Sequence, residues 1–562
     1  MDKIWLRSYP AGVPPEIDPR AHSSLVELLE SSCERFRDRV AFSSMGARMS
    51  YGELDRLSRD FAAFLQHDAS VARGERVAIM LPNLLQYPVA LFGVLRAGAV
   101  AVNVNPLYTA AELEYQLADS GASVAVVLEN FAATFERAQS AARVRCVVTT
   151  RAGDLLPPLR RTLVNFALRY LKRAVPAFSL PGSVGFRDAL ARGATRTLDA
   201  AAPSPYDTAL LQYTGGTTGR ARGAILTHGN MVANVEQTAA WIGIRLKPGE
   251  ETVITALPLY HIFALTANLL VFLKLGGHNV LVADARDLPR LIALLGSTRF
   301  SAITGVNSLY NALLNARGFA AVRSANGGAL KVAVAGGMAL QRSVAERWQA
   351  AMGVTLIEGY GLTEAAPVVC ANPIDLAAFN GSIGLPLPST EVAILDEHGA
   401  ELPPDEVGEI CVRGPQVMRA YWNAPEETAE AFNAEGWLRT GDMGSMDARG
   451  FFRVVDRRKD VIVVSGFKAW PAEIEDVIML HPGVRDVGVA GVPDEGSGEA
   501  VAAYIVRKDP NLTAAAVLEH CRQRLTGFKL PKRIEFRERL PKTPIGKVLR
   551  RRLRENEGPM HG

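Results

Sequence analysis

RVAIML (Arg76–Leu81), SVAVVL (Ser123–Leu128) and RCVVT (Arg145–Thr149) are short apolar runs rich in β-branched residues, bounded by Gly, Pro or polar clusters. The same texture returns in NVLVA (Asn279–Ala283) and KVAVA (Lys331–Ala335), with amphipathic stretches such as SVAERWQAAM (Ser343–Met352) between and after the runs. Runs without a polar face belong to strands covered on both sides, so the alternation predicts α/β architecture with largely parallel sheets between helices. The texture changes from about Pro388 to Gly414. There EVAILD and GEICVRG flank a Pro- and Gly-containing turn, which predicts a small β-rich subdomain packed on the larger unit. Past Asp456 come the charged run DRRKD, a strand (VIVVS), a helix (Pro471–Leu480), strands at Asp486–Val492 and Ala500–Val506, and a helix at Thr513–Leu525. The expected organisation is a large N-terminal domain over 1–455 and a small, mobile α+β C-terminal domain over 456–562, with Asp456–Asp460 as the hinge.

A chain of 562 residues exceeds what one core usually organises. With 48% hydrophobic and 21% charged residues it reads as folded throughout, and a net charge of +4 with no long basic tract argues against nucleic-acid binding. Five scattered cysteines without C-x-x-C spacing fit a reducing cytoplasm and give no zinc pattern. The N-terminus lacks the apolar run of a signal peptide, and the longest apolar stretch, Ile262–Leu275, carries Lys274 and falls short of the ~20 residues that span a bilayer. A cytoplasmic protein, soluble or peripheral, is expected.

One segment bears on that choice. In RTLVNFALRYLKRAVPAF, Val164, Ala167, Leu168, Leu171, Ala174 and Val175 share one helical face, while Asn165, Arg169, Lys172 and Arg173 share the other, with Arg160 and Arg161 just upstream. Two readings stay open: a basic amphipathic helix over 160–178 lying on the anionic inner face of the plasma membrane, or a surface helix packed on its own domain.

The most informative segment for chemistry is YTGGTTGRARG (Tyr213–Gly223) after the apolar run ALLQ. Glycines let backbone N–H groups wrap a phosphate chain, hydroxyls donate further bonds and a nearby cation offsets charge. Alone, such a loop is more often a hairpin tip, and it lacks the Walker pattern G-x-x-x-x-G-K-[ST].

The loop nevertheless resembles the phosphate-binding signature of the adenylate-forming superfamily. Five further signatures of that family follow in order: LPLYHIF (Leu257–Phe263), GYGLTE (Gly359–Glu364), WLRTGD (Trp437–Asp442), DRRKD (Asp456–Asp460) and PKTPIGK (Pro541–Lys547). Outside them, WLRSYP, LPNLLQYPVALFGVLRAGAVAVNVNPLY and GSIGLPLPSTE are similar to the bacterial long-chain fatty-acid–CoA ligases, nearly end to end. The resemblance implies a large adenylate-forming domain with a small mobile lid. It also implies an ATP-, Mg²⁺- and coenzyme A-using enzyme that makes a fatty acyl-adenylate and then the acyl-CoA.

The resemblance implies site residues as well. Thr214, Gly215, Gly216, Thr217, Thr218, Gly219 and Arg222 would cradle phosphates, Arg222 standing where lysine is usual. Thr363 would lie near the α-phosphate and Glu364 would hold Mg²⁺, which suits one or two carboxylates plus phosphate and water. Tyr360, Gly336 and Gly337 would flank adenine, and Asp442 and Arg457 the ribose. Lys547 would reach the reacting carboxylate and phosphate, and Lys459 would be the hinge about which the lid rotates. Ser465 and Gly466 would face the site for thioester formation. His261 would stand beside the thiol path without acting as a general base, and Gly305, Val306 and Met338 would wall the acyl pocket. Each residue taken singly has a plainer role: a core aromatic for Tyr360, a surface charge for Asp442 or Arg457, a solvated terminus for Lys547. Two other functions compete, a carrier-loading acyl-AMP ligase and a fatty-acid-binding protein without catalysis. No inserted segment favours the first, and the intact polar residues disfavour the second. Either a monomer or a homodimer is compatible with the sequence.

Overall fold

The structure, a computed structural model, describes residues 2–139, 143–200, 202–214, 221–457, 460–465, 467–494, 497–543 and 548–554. The phosphate-loop residues Gly215, Gly216, Thr217, Thr218 and Gly219, the hinge candidate Lys459, Gly466 and Lys547 lie outside them.

The apolar runs become parallel strands with helices between them. One seven-stranded sheet is ordered Val184–Gly185, Cys146–Thr150, Val124–Leu128, Arg76–Met80, Val100–Asn103, Thr208–Thr214 and Arg222–Thr227. All its pairings are parallel except the last, where Thr208–Thr214 and Arg222–Thr227 form an antiparallel pair across the Gly-rich loop. A nine-stranded sheet has at its centre the parallel strands His278–Leu281, Thr252–Thr255, Ala302–Gly305, Val332–Ala335 and Leu356–Gly361. Continuous burial along Val124–Leu128 and Ala302–Gly305 accounts for their unbroken apolar sequence. Helix starts follow local chemistry. Ser50 accepts from the Glu53 N–H at 3.1 Å while the Glu53 carboxylate accepts from the Ser50 N–H at 2.8 Å, and the helix Tyr51–His67 follows.

The β-rich subdomain is a four-stranded antiparallel sheet of Glu391–Leu395, Gly408–Arg413, Leu438–Met446 and Phe452–Arg457. Its last strand runs to Arg457, two residues past the 455/456 boundary read from the sequence. The C-terminal unit is a five-stranded sheet in which Val484–Asp494 and Gly498–Arg507 form a long hairpin backed by the helices Pro471–Met479 and Ala514–Arg522. Arg533–Phe536 adds a parallel edge that the sequence pattern did not indicate. The apolar stretch Ile262–Leu275 is an interrupted, buried helix, and among the described residues no helix is long and apolar enough to cross a membrane.

The basic amphipathic segment forms a helix from Pro158 to Phe166 that continues as a wider turn over Ala167–Leu171. The apolar face read from the sequence packs on its own domain through two of its residues. Val164 and Leu168 pack inward, and a second apolar row faces solvent.

Candidate active site

A cleft of about 3150 Å³ opens at the carboxyl ends of the parallel strands and is roofed by the C-terminal domain. Crevices beyond strand carboxyl ends are where α/β sheets place ligands, because loops there are free to vary over a rigid base. The strand Leu356–Gly361 brings Tyr360 to this edge, and a single 3-10 turn, Thr363–Ala365, follows.

Tyr360 donates its hydroxyl to Asp442 Oδ2 at 2.7 Å, and Arg457 Nε lies 3.3 Å from Asp442 Oδ1. Asp442 and Arg457 are register partners on adjacent antiparallel strands, so the sheet itself sets their distance. Burial, then the Asp442 charge, pushes the Tyr360 phenol well above its ordinary pKa, so it stays a donor.

A second tyrosine holds the other acid. Tyr421 donates to Glu364 Oε1 at 2.6 Å, and the Arg222 guanidinium lies 5.6 Å from the Tyr421 ring centre. The segment 418–422 reaches this place by running beside the strand Arg222–Thr227: Ile225 N–H donates to Ala420, Trp422 N–H to Gly223 and Arg419 N–H to Ile225. Asn230 clamps the same segment from below, donating to the carbonyls of Pro415 and Val417 at 2.8 Å each. Arg222 faces Thr214 across the strand pair, at the base of the Gly-rich loop.

The LPLYHIF turn joins the two large sheets. Asn83 donates to Thr255 O and Leu257 O and accepts from Leu259 N–H, Tyr87 donates to Leu259 O, and Gln212 donates to Tyr260 O. His261 therefore sits on a pinned turn. Its Nδ1 accepts from the Phe263 N–H at 3.3 Å, and burial lowers its pKa to about 4, so the ring is neutral near pH 7.

The AMP-binding enzyme family model matches residues 29–422, and the model of the family's C-terminal domain matches 473–547. The chain belongs to the AMP-binding enzyme family. It is 53% identical over 555 residues to a long-chain-fatty-acid–CoA ligase of Escherichia coli O157:H7, covering 99% of this chain and 98% of that one. Against the long-chain-fatty-acid–CoA ligase of Bacillus subtilis (strain 168) it is 38% identical, covering 100% and 99%. The fold matches the crystal structure of an anthranilate CoA ligase in complex with anthranoyl-AMP, with a TM-score of 0.84 at 24% identity, over 96% of this chain and 98% of that one.

In this member of the AMP-binding family the remaining expected residues fall unevenly. Gly336, Gly337 and Met338 line the cleft. A Cβ at Gly336 would lie 3.0 Å from the Phe263 ring and 3.1 Å from Gly359 O, and Gly337 has φ +76°, so the first glycine is needed for packing and the second for the backbone turn. Gly305 and Val306 sit behind the wall rather than in it. A Cβ at Gly305 would meet the buried Tyr310 ring at 2.9 Å, so that glycine makes room for Tyr310. The apolar lining comes from Trp241, Phe263, Ile303, Val334 and Phe379, among others.

On the opposite wall the C-terminal domain presents Thr543, Leu549 and Arg550 to the cleft. Ser465 is exposed outside it, at φ +50°, and next to it Phe467 stacks on Phe528 at 5.1 Å. Arg550 contacts Asp456 Oδ1 at 2.6 Å, Asp460 at 3.3 Å and Glu475 at 2.9 Å, spanning both sides of position 459. Asp456 also accepts from the Ala472 N–H at 2.8 Å. Deeper in the cleft, burial raises Glu358 to about 8, and on the C-terminal domain's helix Pro471–Met479 desolvation raises Asp476 to about 7.

Among the described residues, no group of three or more His, Cys, Asp or Glu is arranged to hold a metal ion unaided. Glu364 fits a different arrangement. One of its oxygens is taken by Tyr421 and the second is left for a cation carried in with a phosphate chain, which matches the one-carboxylate habit of Mg²⁺.

Sequence reasoning did not single out Tyr421, Glu358, Asp456 or Arg550 as functional. Asp456 is the first residue of the DRRKD run read as the hinge, and Arg550 lies three residues past PKTPIGK. Tyr421, in AYWN, carries no local signal beyond an aromatic after a Gly–Pro turn.

Proposed function

We propose that this protein is an ATP-dependent fatty-acid–CoA ligase acting on medium- or long-chain acids. In the first half-reaction the fatty carboxylate oxygen attacks the α-phosphorus of ATP, and the Pα–O bond to pyrophosphate breaks. In the second, the coenzyme A thiolate attacks the acyl carbonyl carbon and AMP leaves. The observation that carries the reading is the pair of tyrosine-held acids, Asp442 with Tyr360 and Glu364 with Tyr421, set at one strand edge beside Thr363 and Arg222. Asp442 accepts from the ribose hydroxyls, Arg457 steadies it, and the Gly-rich loop with Arg222 and Thr214 surrounds the phosphates. Mg²⁺, held through Glu364, supplies charge neutralisation on phosphate oxygens when bound. Oriented donors at these positions lower the barrier of an encounter between two anions.

Lys547 offsets charge on the reacting carboxylate and phosphate during adenylation. Thr543 and Val548, the described residues nearest to it in sequence, line the cleft while Ser465 does not, which supports an adenylating orientation here. Rotation about Lys459 then brings Ser465 and Gly466 to the site for thiol attack, a domain step of the kind that often limits turnover. His261, neutral, borders the thiol path. The relatives' long-chain acids support an apolar acyl chain, and the aromatic and aliphatic lining of the cleft suits it at ~0.8 kcal/mol per buried methylene. The protein works in the cytoplasm, in contact with the inner face of the plasma membrane through 160–178.

The test is incubation with ATP, Mg²⁺ and acids of graded length, with and without coenzyme A, followed by mass spectrometry. Acyl-CoA and AMP rising together only with coenzyme A is the expected result. Adenylate that accumulates and ignores coenzyme A indicates a carrier-loading enzyme, and no nucleotide turnover with any acid overturns the reading.

A further inference from the structure

No residue of the helix Pro158–Phe166 or of its continuation Ala167–Leu171 is buried. Leu159, Leu163, Phe166 and Tyr170 recur at spacings of four, three and four, which aligns them in one stripe. With Leu171 they are 52–74% exposed, and they make up five of the fourteen large apolar side chains exposed among the described residues. The Phe166 and Tyr170 rings lie 5.1 Å apart.

The stripe is held outward by pins on the other side of the helix. Val164 and Leu168 pack on the core, Asn165 accepts from the Gly153 N–H at 2.9 Å, Arg169 pairs with Glu129 at 3.5 Å, and Asn130 donates to Ala174 O at 2.9 Å. Soluble proteins rarely present a contiguous apolar row in this way without a partner.

The charge around the stripe decides which partner. Residues 157–178 contain Arg160, Arg161, Arg169, Lys172 and Arg173 and no Asp or Glu. Arg160, Lys172 and Arg173 are exposed. A second copy of this chain would set one positive segment against another, whereas a layer of lipid phosphates over an apolar interior matches both the charge and the stripe.

We propose that Leu159, Leu163, Phe166, Tyr170 and Leu171 seat in the headgroup boundary of a bilayer rich in anionic phospholipid, with Arg160, Lys172 and Arg173 at the phosphates. The proposal rests on the membrane contact included in the functional reading and replaces the face read from the sequence with the apolar row beside it, Leu171 being common to both.

Flotation of the full-length protein with vesicles tests it, comparing phosphatidylcholine alone with phosphatidylcholine containing roughly 30% phosphatidylglycerol. The parent protein is expected to float with the anionic vesicles and to be released by about 0.5 M salt. L163Q/F166Q is expected to lose more than about tenfold in partitioning, since each side chain withdraws buried apolar area. K172E/R173E is expected to lose a similar factor through charge. Vesicle-free turnover of decanoate should stay within about twofold in both variants, because neither touches the cleft. Equal partitioning of parent and both variants, or no flotation of the parent, overturns the proposal. So does a parent dimer that L163Q/F166Q makes monomeric without any vesicle binding, which would assign the stripe to a second copy. Flotation as expected with no decanoate turnover in any form supports the lipid surface and counts only against the ligase reading.

Discussion

On the large-domain wall of the cleft, Glu364 and Asp442 each accept a bond from a half-buried tyrosine, at 2.6 and 2.7 Å, whereas at the junction with the C-terminal domain Asp456, on the strand beside that of Asp442, and Glu475 are gripped by the guanidinium of Arg550 at 2.6 and 2.9 Å. The first arrangement uses neutral phenols held on or against strands, with the Arg457 guanidinium also beside Asp442. A phenol kept protonated by burial leaves the acid its full negative charge and fixes its direction, which suits a carboxylate that must meet a nucleotide or a cation. The second arrangement uses full charges on a side chain that spans the expected hinge. Three acids share one cation there, and although burial lowers the Arg550 pKa, Glu475 and Asp456 raise it by more, so the guanidinium stays charged. Exchange among acids would let such a clasp reform under the domain rotation proposed above, which a tyrosine bond within the large domain would not need.

Four measurements test this contrast, in decreasing order of expected effect. Asp442→Ala removes the acceptor of Tyr360 and the partner of Arg457 together. Pyrophosphate exchange should fall on the order of a hundredfold, with the loss chiefly in the KM for ATP if the role is ribose binding. Tyr421→Phe removes one bond and no charge. Adenylation should fall about tenfold, and titration of Mn²⁺ with the non-hydrolysed nucleotide by electron paramagnetic resonance should show weaker metal binding. Unchanged metal affinity would make Tyr421 a packing residue and blur the contrast. Arg550→Gln should act asymmetrically, slowing adenylation about fivefold while leaving thioester formation from supplied acyl-adenylate within a factor of two. Equal losses in the two half-reactions, followed separately by rapid quench, would show the clasp to be structural only.

The smallest effect is expected from the deep acid. Glu358 has its folded pKa raised to about 8 by burial, so it folds as the neutral acid. For a raised pKa the stabilising contribution is complete below the unfolded value near 4.5 and is lost as pH rises through about 8. Thermal melts of the parent should therefore drop between about pH 5 and 8, and Glu358→Gln should flatten that drop by a degree or two. A variant whose melts keep the full slope would shift attention to Asp476, raised to about 7 chiefly by its burial, with Glu475 adding to the shift.

The fold was legible where a run had to be apolar on both sides. Arg76–Met80, Val124–Leu128 and Val332–Ala335 came out as strands within a residue or two of the sequence reading, because burial on both faces leaves little choice of residue. Phe536 and its neighbours were missed as a strand, since Arg533–Phe536 alternates with charges at a sheet edge. At the site, the glycines and acids were findable by motif. Tyr421 was not, because it acts on Glu364 from 57 positions away, and only the pairing of 418–422 with Arg222–Thr227 brings it there.

The helix over 158–171 marks the same division. Its composition alone determined that it is amphipathic and basic. Which of its two apolar rows meets solvent was decided by Glu129, Gly153 and Asn130, which come from other elements and fix its rotation. Sequence determined the α/β class, the order of the motifs and the family, because periodicity and motif spacing are local. Tertiary structure decided which donors hold which acids and which surface is left bare, because those depend on distances between segments far apart in the chain.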